Sequence, residues 1–281
     1  MNEPLLQTPA TTLSVSCVIF DTPVDIVNAT LVSLAAALTF AKGKVDQLQC
    51  EVHLINNNCH PNAPYTQIIQ CCENYFDKLI THNGQGNIGY GKANNLAIEQ
   101  TTAKYHLILN PDVELSMDTI VQGLNYLESH PSVGLVAPHS VNSRGEVDYL
   151  AKRLPSMGVI ILRGLNIGLL NRLFQNQLNL YAYKDRIPTT LPFEIELASG
   201  CFMLCRSDTL KKCKGFSPKY FLYFEDFDLT FRMRKFAKAV FLPSMNIIHL
   251  GGNASRKGPK HIFMFFQSAL KFMRTLGNHK A

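Results

Sequence analysis

Between Leu13 and Leu109 short apolar runs alternate with helix-length stretches, and this alternation restricts the fold more than any other feature of the chain. Leu13–Phe20 (L-S-V-S-C-V-I-F) reads as a buried strand ended by Asp21 and Pro23, after which Asp25 can cap a helix reaching about Lys42. Glu51–Asn56 predicts a second strand, followed by the polar turn N-N-N-C-H-P-N and a helix from about Ala63 to Lys78. Leu79–His82 is a short third strand; a glycine-rich loop and a helix through Asn95 and Ile98 then lead to a strand at Tyr105–Leu109. Strands and helices in this order argue an α/β fold with a Rossmann-like, mostly parallel central sheet flanked by helices. Ligands of such sheets bind beyond the strand C-termini. Three polar groups fall there: Asp21, the Asn56–Asn58 turn and Asn110–Asp112.

The rest of the chain is less regular. A helix at Ser116–Ser129, capped by Ser116, precedes a strand at Val133–Pro138 and a hairpin-like turn at S-R-G-E. Val159–Phe174 carries Arg163 and Arg172 but no acid, so it reads either as an amphipathic interfacial segment or as a hydrophobic helix beneath a loop. Glu194–Arg206 predicts one strand with small residues at Ala198–Gly200, and Ala239–Phe241 and Asn246–His249 predict two more.

A length of 281 residues fits one domain with a full core. There is no uninterrupted run of eighteen apolar residues to span a bilayer. The N-terminal M-N-E-P-L-L-Q-T-P holds an acid and no base, unlike a secretory signal, so cytoplasmic residence is expected. Eight cysteines without a C-x-x-C pair read as reduced thiols, with Cys201 and Cys205 acting as small hydrophobes. No Asp or Glu follows Asp228 while ten Lys or Arg do, which exceeds the whole net charge of +6. Such a basic tail suits nucleic acid or an anionic membrane surface. The aromatic run His261–Arg274 favours the membrane, with a docked helix bearing a solvated basic face as the other reading.

Phe221–Arg232 (F-L-Y-F-E-D-F-D-L-T-F-R) sets Glu225, Asp226 and Asp228 among aromatic rings. As a helix it places Phe224, Phe227 and Phe231 on one face and lets Asp228 pair with Arg232 at i, i+4. Asp226 is left without an intrahelical partner.

Gly84, Gly86 and Gly89 spell G-x-G-x-x-G, with Asp112 further on, so a dinucleotide-dependent dehydrogenase must be weighed. The match is poor. The loop follows the third strand rather than the first, and Asp112 comes in the turn Asn110-Pro111-Asp112 rather than at a strand end. A carboxylate on that turn suits magnesium or manganese together with a diphosphate. His249, which ends a strand, can supply a second ligand.

Five segments in order, Asn87–Asn95 (N-x-G-Y-G-x-x-N-N), Asn110–Asp112 (N-P-D), Ala198–Leu204 (A-S-G-C-F-M-L), Gly215–Arg232 and His249–Ser255 (H-L-G-G-N-A-S), resemble the family 2 glycosyltransferases of GT-A fold. Within them the chain is most similar to the bacterial rhamnosyltransferase-like branch that builds O-antigen and other surface polysaccharides. The resemblance spans about Ser14–Phe272. It implies a single GT-A domain over residues 1–281, with a nucleotide-sugar half at about 13–138, an acceptor and catalytic half at about 139–255, and a basic C-terminal helix at about 256–281.

The resemblance also implies the site. Asp226 is the catalytic base, Glu225 contacts acceptor, Asp112 and His249 serve Mg2+ or Mn2+ and the diphosphate, and Asn110 stands in the D-x-D counterpart. Asp21 and Asn56 meet base and ribose, and Asn87 and Asn95 line the donor pocket. Asn110 and Asn56 each replace a usual Asp, keeping hydrogen bonds but losing charge. The implied activity is inverting transfer from a nucleotide-diphosphate sugar, dTDP-L-rhamnose by resemblance, to a polyprenyl-diphosphate-linked glycan. It would take place at the cytoplasmic face of the inner membrane, without nucleic acid. A catalytically dead carbohydrate-binding relative is the other alternative.

Overall fold

The first half of the chain folds as the alternation predicts. The computed structural model describes residues 12–58, 63–72, 74–165, 167–251 and 258–277. In it β1 (Thr12–Ile19), β2 (Gln49–Asn56), β3 (Leu79–His82) and β4 (Tyr105–Leu109) lie parallel in the order β3-β2-β1-β4. Ile19 pairs with Asn56 and Cys17 with Leu109, so the C-terminal ends of these strands form one edge.

The connecting helices are α1 (Val24–Lys42), α2 (Ala63–Cys72) and α3 (Tyr90–Gln100). Asp25 does not cap α1: Pro23 precedes the helix, its carbonyl accepts the Val27 N–H at 3.1 Å, and Asp25 sits in the first turn, where its charge suits the helix dipole. By length and hydropathy α1 could cross a bilayer. Its Val27, Leu31, Leu34 and Leu38 are instead buried in the core with β1 and β4. The α2 helix stops at Cys72 rather than Lys78, and the Tyr75 N–H turns back onto the Cys72 carbonyl.

The second half comprises β5 (Val113–Leu115), α4 (Thr119–Ser129), β6 (Val133–Asn142), β7 (Ala151–Lys152), α5 (Met157–Leu165), α6 (Gly168–Leu173) and α7 (Gln175–Tyr181). Then follow β8 (Phe193–Glu194), β9 (Leu197–Ala198), β10 (Phe202–Arg206), α8 (Ser207–Lys212), α9 (Glu225–Met233), β11 (Lys238–His249) and α10 (Pro259–Gly277). The sheet extends as β4-β10-β6-β11-β5, with β8 also on β11 and a separate β7-β9 pair. Six of its nine strands point one way; β10, β5 and β8 run against them.

Several local expectations change here. The fourth helix begins at Thr119, and the backbone carbonyl of Ser116, not its hydroxyl, accepts the Thr119 N–H. The β6 strand runs past Pro138 to Asn142, and a Val141–Val147 bridge closes the hairpin. Glu194–Arg206 breaks into three strands because β8, β9 and β10 pair with β11, β7 and β4 respectively. The two late strands are one, β11, with an irregularity between Leu242 and Asn246.

The antiparallel direction of β10 matters most for function. It brings Ser199–Cys201 to the C-terminal end of β4, where the Asn110 N–H donates to the Cys201 carbonyl at 2.8 Å. By the same logic β11 against β5 sets His249 opposite Val113, next to Asp112. The predicted phenylalanine face is real: Phe224, Phe227 and Phe231 pack on Phe272 of α10, with ring centroids 5.6, 6.3 and 6.3 Å away. The C-terminal segment is thus docked on α9 through one face. Six cysteines, Cys201 and Cys205 among them, are free thiols in the core.

Candidate active site

A cavity of about 430 Å³ opens where the strand ends converge, lined by Val18 of β1, Asn57 after β2 and Asn110-Pro111-Asp112 after β4. The glycine loop contributes Asn87 and Gly89, α3 adds Tyr90, and Phe221, Leu222 and the α10 residues His261 and Met264 complete the lining. Gly89 has φ 87, and a Cβ there would stand 2.5 Å from the Phe221 carbonyl oxygen, so glycine is what lets these two segments meet. Amides fix the loops: Asn57 Nδ2 donates to Asn87 Oδ1 at 3.1 Å, and Asn57 Oδ1 accepts the Ile88 N–H at 3.2 Å.

Asp112 meets His249 as the β5–β11 pairing dictates. His249 Nε2 lies 3.6 Å from Asp112 Oδ2, while its Nδ1 lies 2.7 Å from Asp148 Oδ2. Burial works against a charged imidazole, but the hydrogen bond to Asp148 and then the charge of Asp112 outweigh it and raise the pKa of His249. Asp148 fixes the ring so that Nε2 faces Asp112, the arrangement in which a carboxylate orients a metal-binding imidazole. Among the described residues no group of three or more His, Cys, Asp or Glu could by itself hold a metal ion.

The α9 helix starts from two consecutive left-handed residues, Tyr223 (φ 69) and Phe224 (φ 64). Each costs about 1–2 kcal/mol, and the Phe224 ring offsets this by packing with Phe265 and Phe272 at 5.1 and 5.6 Å. This entry brings Asp226 onto the β9–β10 turn. Asp226 Oδ2 accepts the Gly200 N–H and its Oδ1 the Phe227 N–H, both at 2.8 Å. The Gly200 carbonyl accepts the Tyr90 hydroxyl at 2.7 Å, so one residue joins Asp226 to the cavity wall. Burial raises the Asp226 pKa, opposed by those N–H groups and by the positive charge of Arg163. Glu225 is buried, not solvated, and burial together with the Asp226 charge pushes its pKa up. Two carboxylates held this way titrate as a pair. Asp228 accepts Arg232 Nε at 2.6 Å and the Tyr220 hydroxyl at 3.1 Å.

Asn87, Asn110 and Asp112 therefore line the cavity, with His249 beside Asp112. Asp226 and Glu225 lie outside its lining, and Asp226 is tied in through Gly200 and Tyr90. Three residues are placed differently from the expectation. Asn56 is buried, and its Oδ1 accepts the Asn58 backbone N–H and side-chain amide at 3.1 and 2.9 Å; it shapes the turn while Asn57 faces the cavity. Asn95 clamps the Phe216 backbone from both sides and borders a different cavity with Lys211 and Lys214. Asp21 is an exposed residue between the lining residues Phe20 and Thr22, its N–H on Asn58 Oδ1 at 3.0 Å. Sequence reading had Asn57 only as part of the Asn56–Asn58 turn, and missed Tyr90, Gly200, Asp148 and His261. Tyr90 and Gly200 stood inside quoted motifs; Asp148 and His261 gave no local signal.

Over 218 residues the chain is 23% identical to the rhamnosyltransferase WbbL of Escherichia coli, covering 72% of this chain and 73% of that one. Over 200 residues it is 25% identical to an N-acetylglucosaminyl-diphospho-decaprenol L-rhamnosyltransferase of Mycobacterium tuberculosis, covering 66% of this chain and 64% of that one. The crystal structure of GalNAc-T7 with UDP, GalNAc and Mn2+ superposes with a TM-score of 0.64 at 12% identity, over 89% of this chain and 45% of that one, a likeness of GT-A fold. The chain thus spans less than two thirds of the length of the latter two. Such a match leaves no ground for the dehydrogenase reading of the glycine loop. Residues 24–213, more than half of the chain, match the model of glycosyl transferase family 2, and to that family the chain belongs.

Proposed function

We propose that the protein is an inverting transferase that moves a sugar from a nucleotide diphosphate onto a polyprenyl-diphosphate-linked glycan, with dTDP-L-rhamnose as the donor; the names of its relatives support L-rhamnose as the sugar. The observation that carries this reading is the placement of Asp226 on Gly200, one hydrogen bond from a strand-end cavity that has Asp112 and His249 at its edge. Nucleotide-sugar binding suits that cavity because its amides and backbone ends offer both donors and acceptors.

A divalent cation fits Asp112 and His249. One carboxylate and one oriented imidazole are too few to hold magnesium or manganese alone, which suits an ion whose remaining positions are filled by substrate phosphates. When bound, it would neutralise charge on the departing diphosphate. Asp226 takes the proton from the acceptor hydroxyl as that oxygen bonds to the anomeric carbon; the bond from that carbon to the diphosphate oxygen breaks, and its electron pair leaves with the nucleoside diphosphate. No second acid is needed for a leaving group that departs as an anion. Glu225 beside it shares its titration, and burial raises both carboxyls, Glu225 also through the Asp226 charge.

The experiment is nucleoside diphosphate release with dTDP-rhamnose and a lipid-linked acceptor. Asp226→Asn should lower the rate about 10²–10⁴-fold, and a chelator should abolish it in the wild type. Near-normal turnover by Asp226→Asn would end the base assignment, and full activity in chelator would end the metal assignment.

A further inference from the structure

We propose that the exposed side of α5, α6 and α10 is the surface on which the protein rests on a bilayer of anionic phospholipid. The α6 helix buries none of its residues, and it holds Leu169 and Leu173 at 79% and 74% exposure. On α10, Phe263 and Leu270 are 69% and 54% exposed, although the opposite face of this helix is packed on α9 by Phe272. Hydrophobic side chains this exposed on several helices need an apolar partner. The α5 helix, which precedes α6 in the chain and leaves Ile161 and Leu165 45% and 46% exposed, touches α10 where a Cβ on Gly164 would strike the Phe266 ring at 2.4 Å.

Charge selects the partner. No acid occurs from Tyr149 to Lys184 or after Asp228, so these helices carry Arg172, Lys260 and Arg274 with no acidic neighbour on their own segments. Leucine and phenylalanine amid arginine and lysine is the composition of a helix lying in a lipid interface, the bases meeting phosphate headgroups and the apolar side chains entering the acyl boundary. A second protein copy would have to supply both an apolar and an acidic face. The α10 helix also lines the cavity with His261 and Met264, so the proposed membrane face and the sugar-transfer site share one helix. A lipid-borne acceptor would therefore reach the site without leaving its bilayer. This last point rests on the transferase reading, whereas the surface itself does not.

The test is flotation of the full chain with phosphatidylcholine vesicles with and without phosphatidylglycerol, at low and high salt. The wild type should float with the phosphatidylglycerol vesicles and less so at high salt. The double variant Leu169→Asp, Leu173→Asp and the single variant Phe263→Asp should each lose roughly tenfold or more in vesicle partitioning, with unchanged melting temperature. Wild type that stays unbound, or variants that float as well as wild type, would overturn the proposal. So would a wild-type dimer that these variants make monomeric, which would mark the face as a contact between copies. Transfer to a short water-soluble acceptor is the separating measurement: it stays with wild-type rate in the variants whether or not the membrane face exists, and its absence in wild type would count against the transferase reading alone.

Discussion

Removing the Asp228 carboxylate tests the brace that holds α9. Asp228 is fully buried and accepts Arg232 Nε at 2.6 Å and the Tyr220 hydroxyl at 3.1 Å, with Lys219 Nζ at 3.6 Å. The same guanidinium donates to the carbonyls of Cys213 and of Gly215, the latter at 2.8 Å, which ties α9 to the loop carrying Phe216 and Phe221. In Asp228→Ala the half-covered cation of Arg232 loses its counter-charge and the buried Tyr220 hydroxyl loses its acceptor. Breaking one side of a buried pair costs about 3–5 kcal/mol. At about 2–4 °C per kcal/mol for a chain somewhat smaller than this one, the melting temperature should fall by roughly 6–20 °C. Urea unfolding should show a lower midpoint with an unchanged slope. Pairing Asp228→Leu with Arg232→Met should recover most of the loss, because replacing both charges removes the stranded one. A cost for Asp228→Ala below about 1 kcal/mol, the level of an exposed pair, would refute the argument that this ion pair is a buried brace.

Two further outcomes follow from the carboxylates and the turn that meets them. Gly200→Ala would place a Cβ 3.1 Å from Asp226 Cβ and 3.3 Å from Tyr90 Cε1, so Asp226 must shift by a few tenths of an ångström; kcat should drop roughly tenfold with little change in melting temperature, and an unchanged kcat would show that the turn does not position the base. Burial, and next the Asp226 charge, raise Glu225 from 4.5 to about 8. The folded state then binds a proton that the unfolded chain has released, so wild-type stability falls as pH rises from about 4.5 through about 8. Glu225→Gln removes this titration, and its urea midpoint should gain on the wild type across that window; parallel midpoints at all pH values would mean that Glu225 ionises freely.

Much of the fold was open to reading because it rests on local patterns. The β1, β3 and β4 strands are short, largely apolar runs of strand length, and the phenylalanine spacing of α9 marks a face whatever covers it. The Asp228–Arg232 pair was equally local, since residues four apart on a helix must be neighbours. Errors arose where two alternatives look alike in one dimension. Asn56 and Asn57 are chemically the same residue in the same turn and both are buried; only the tertiary structure turns the first onto Asn58 and the second to the cavity wall. Asn95 lies in a glycosyltransferase-like motif, yet the return of the chain through Gly215 and Phe216 turns it into a clamp.

By itself, then, the sequence determined the element types of the N-terminal half, the apolar face of α9 and the identity of the chemical groups at the strand ends. Tertiary structure decided which groups meet. The antiparallel insertion of β10 between β4 and β6 carries Gly200 to Asp226 and Tyr90, and the pairing of β11 with β5 and β6 carries His249 to Asp112 and Asp148. Those contacts join residues up to 137 positions apart. Local propensity holds no information about them, because their geometry depends on strand order and direction, which are settled by the burial of whole sheet faces rather than by any one residue's preference.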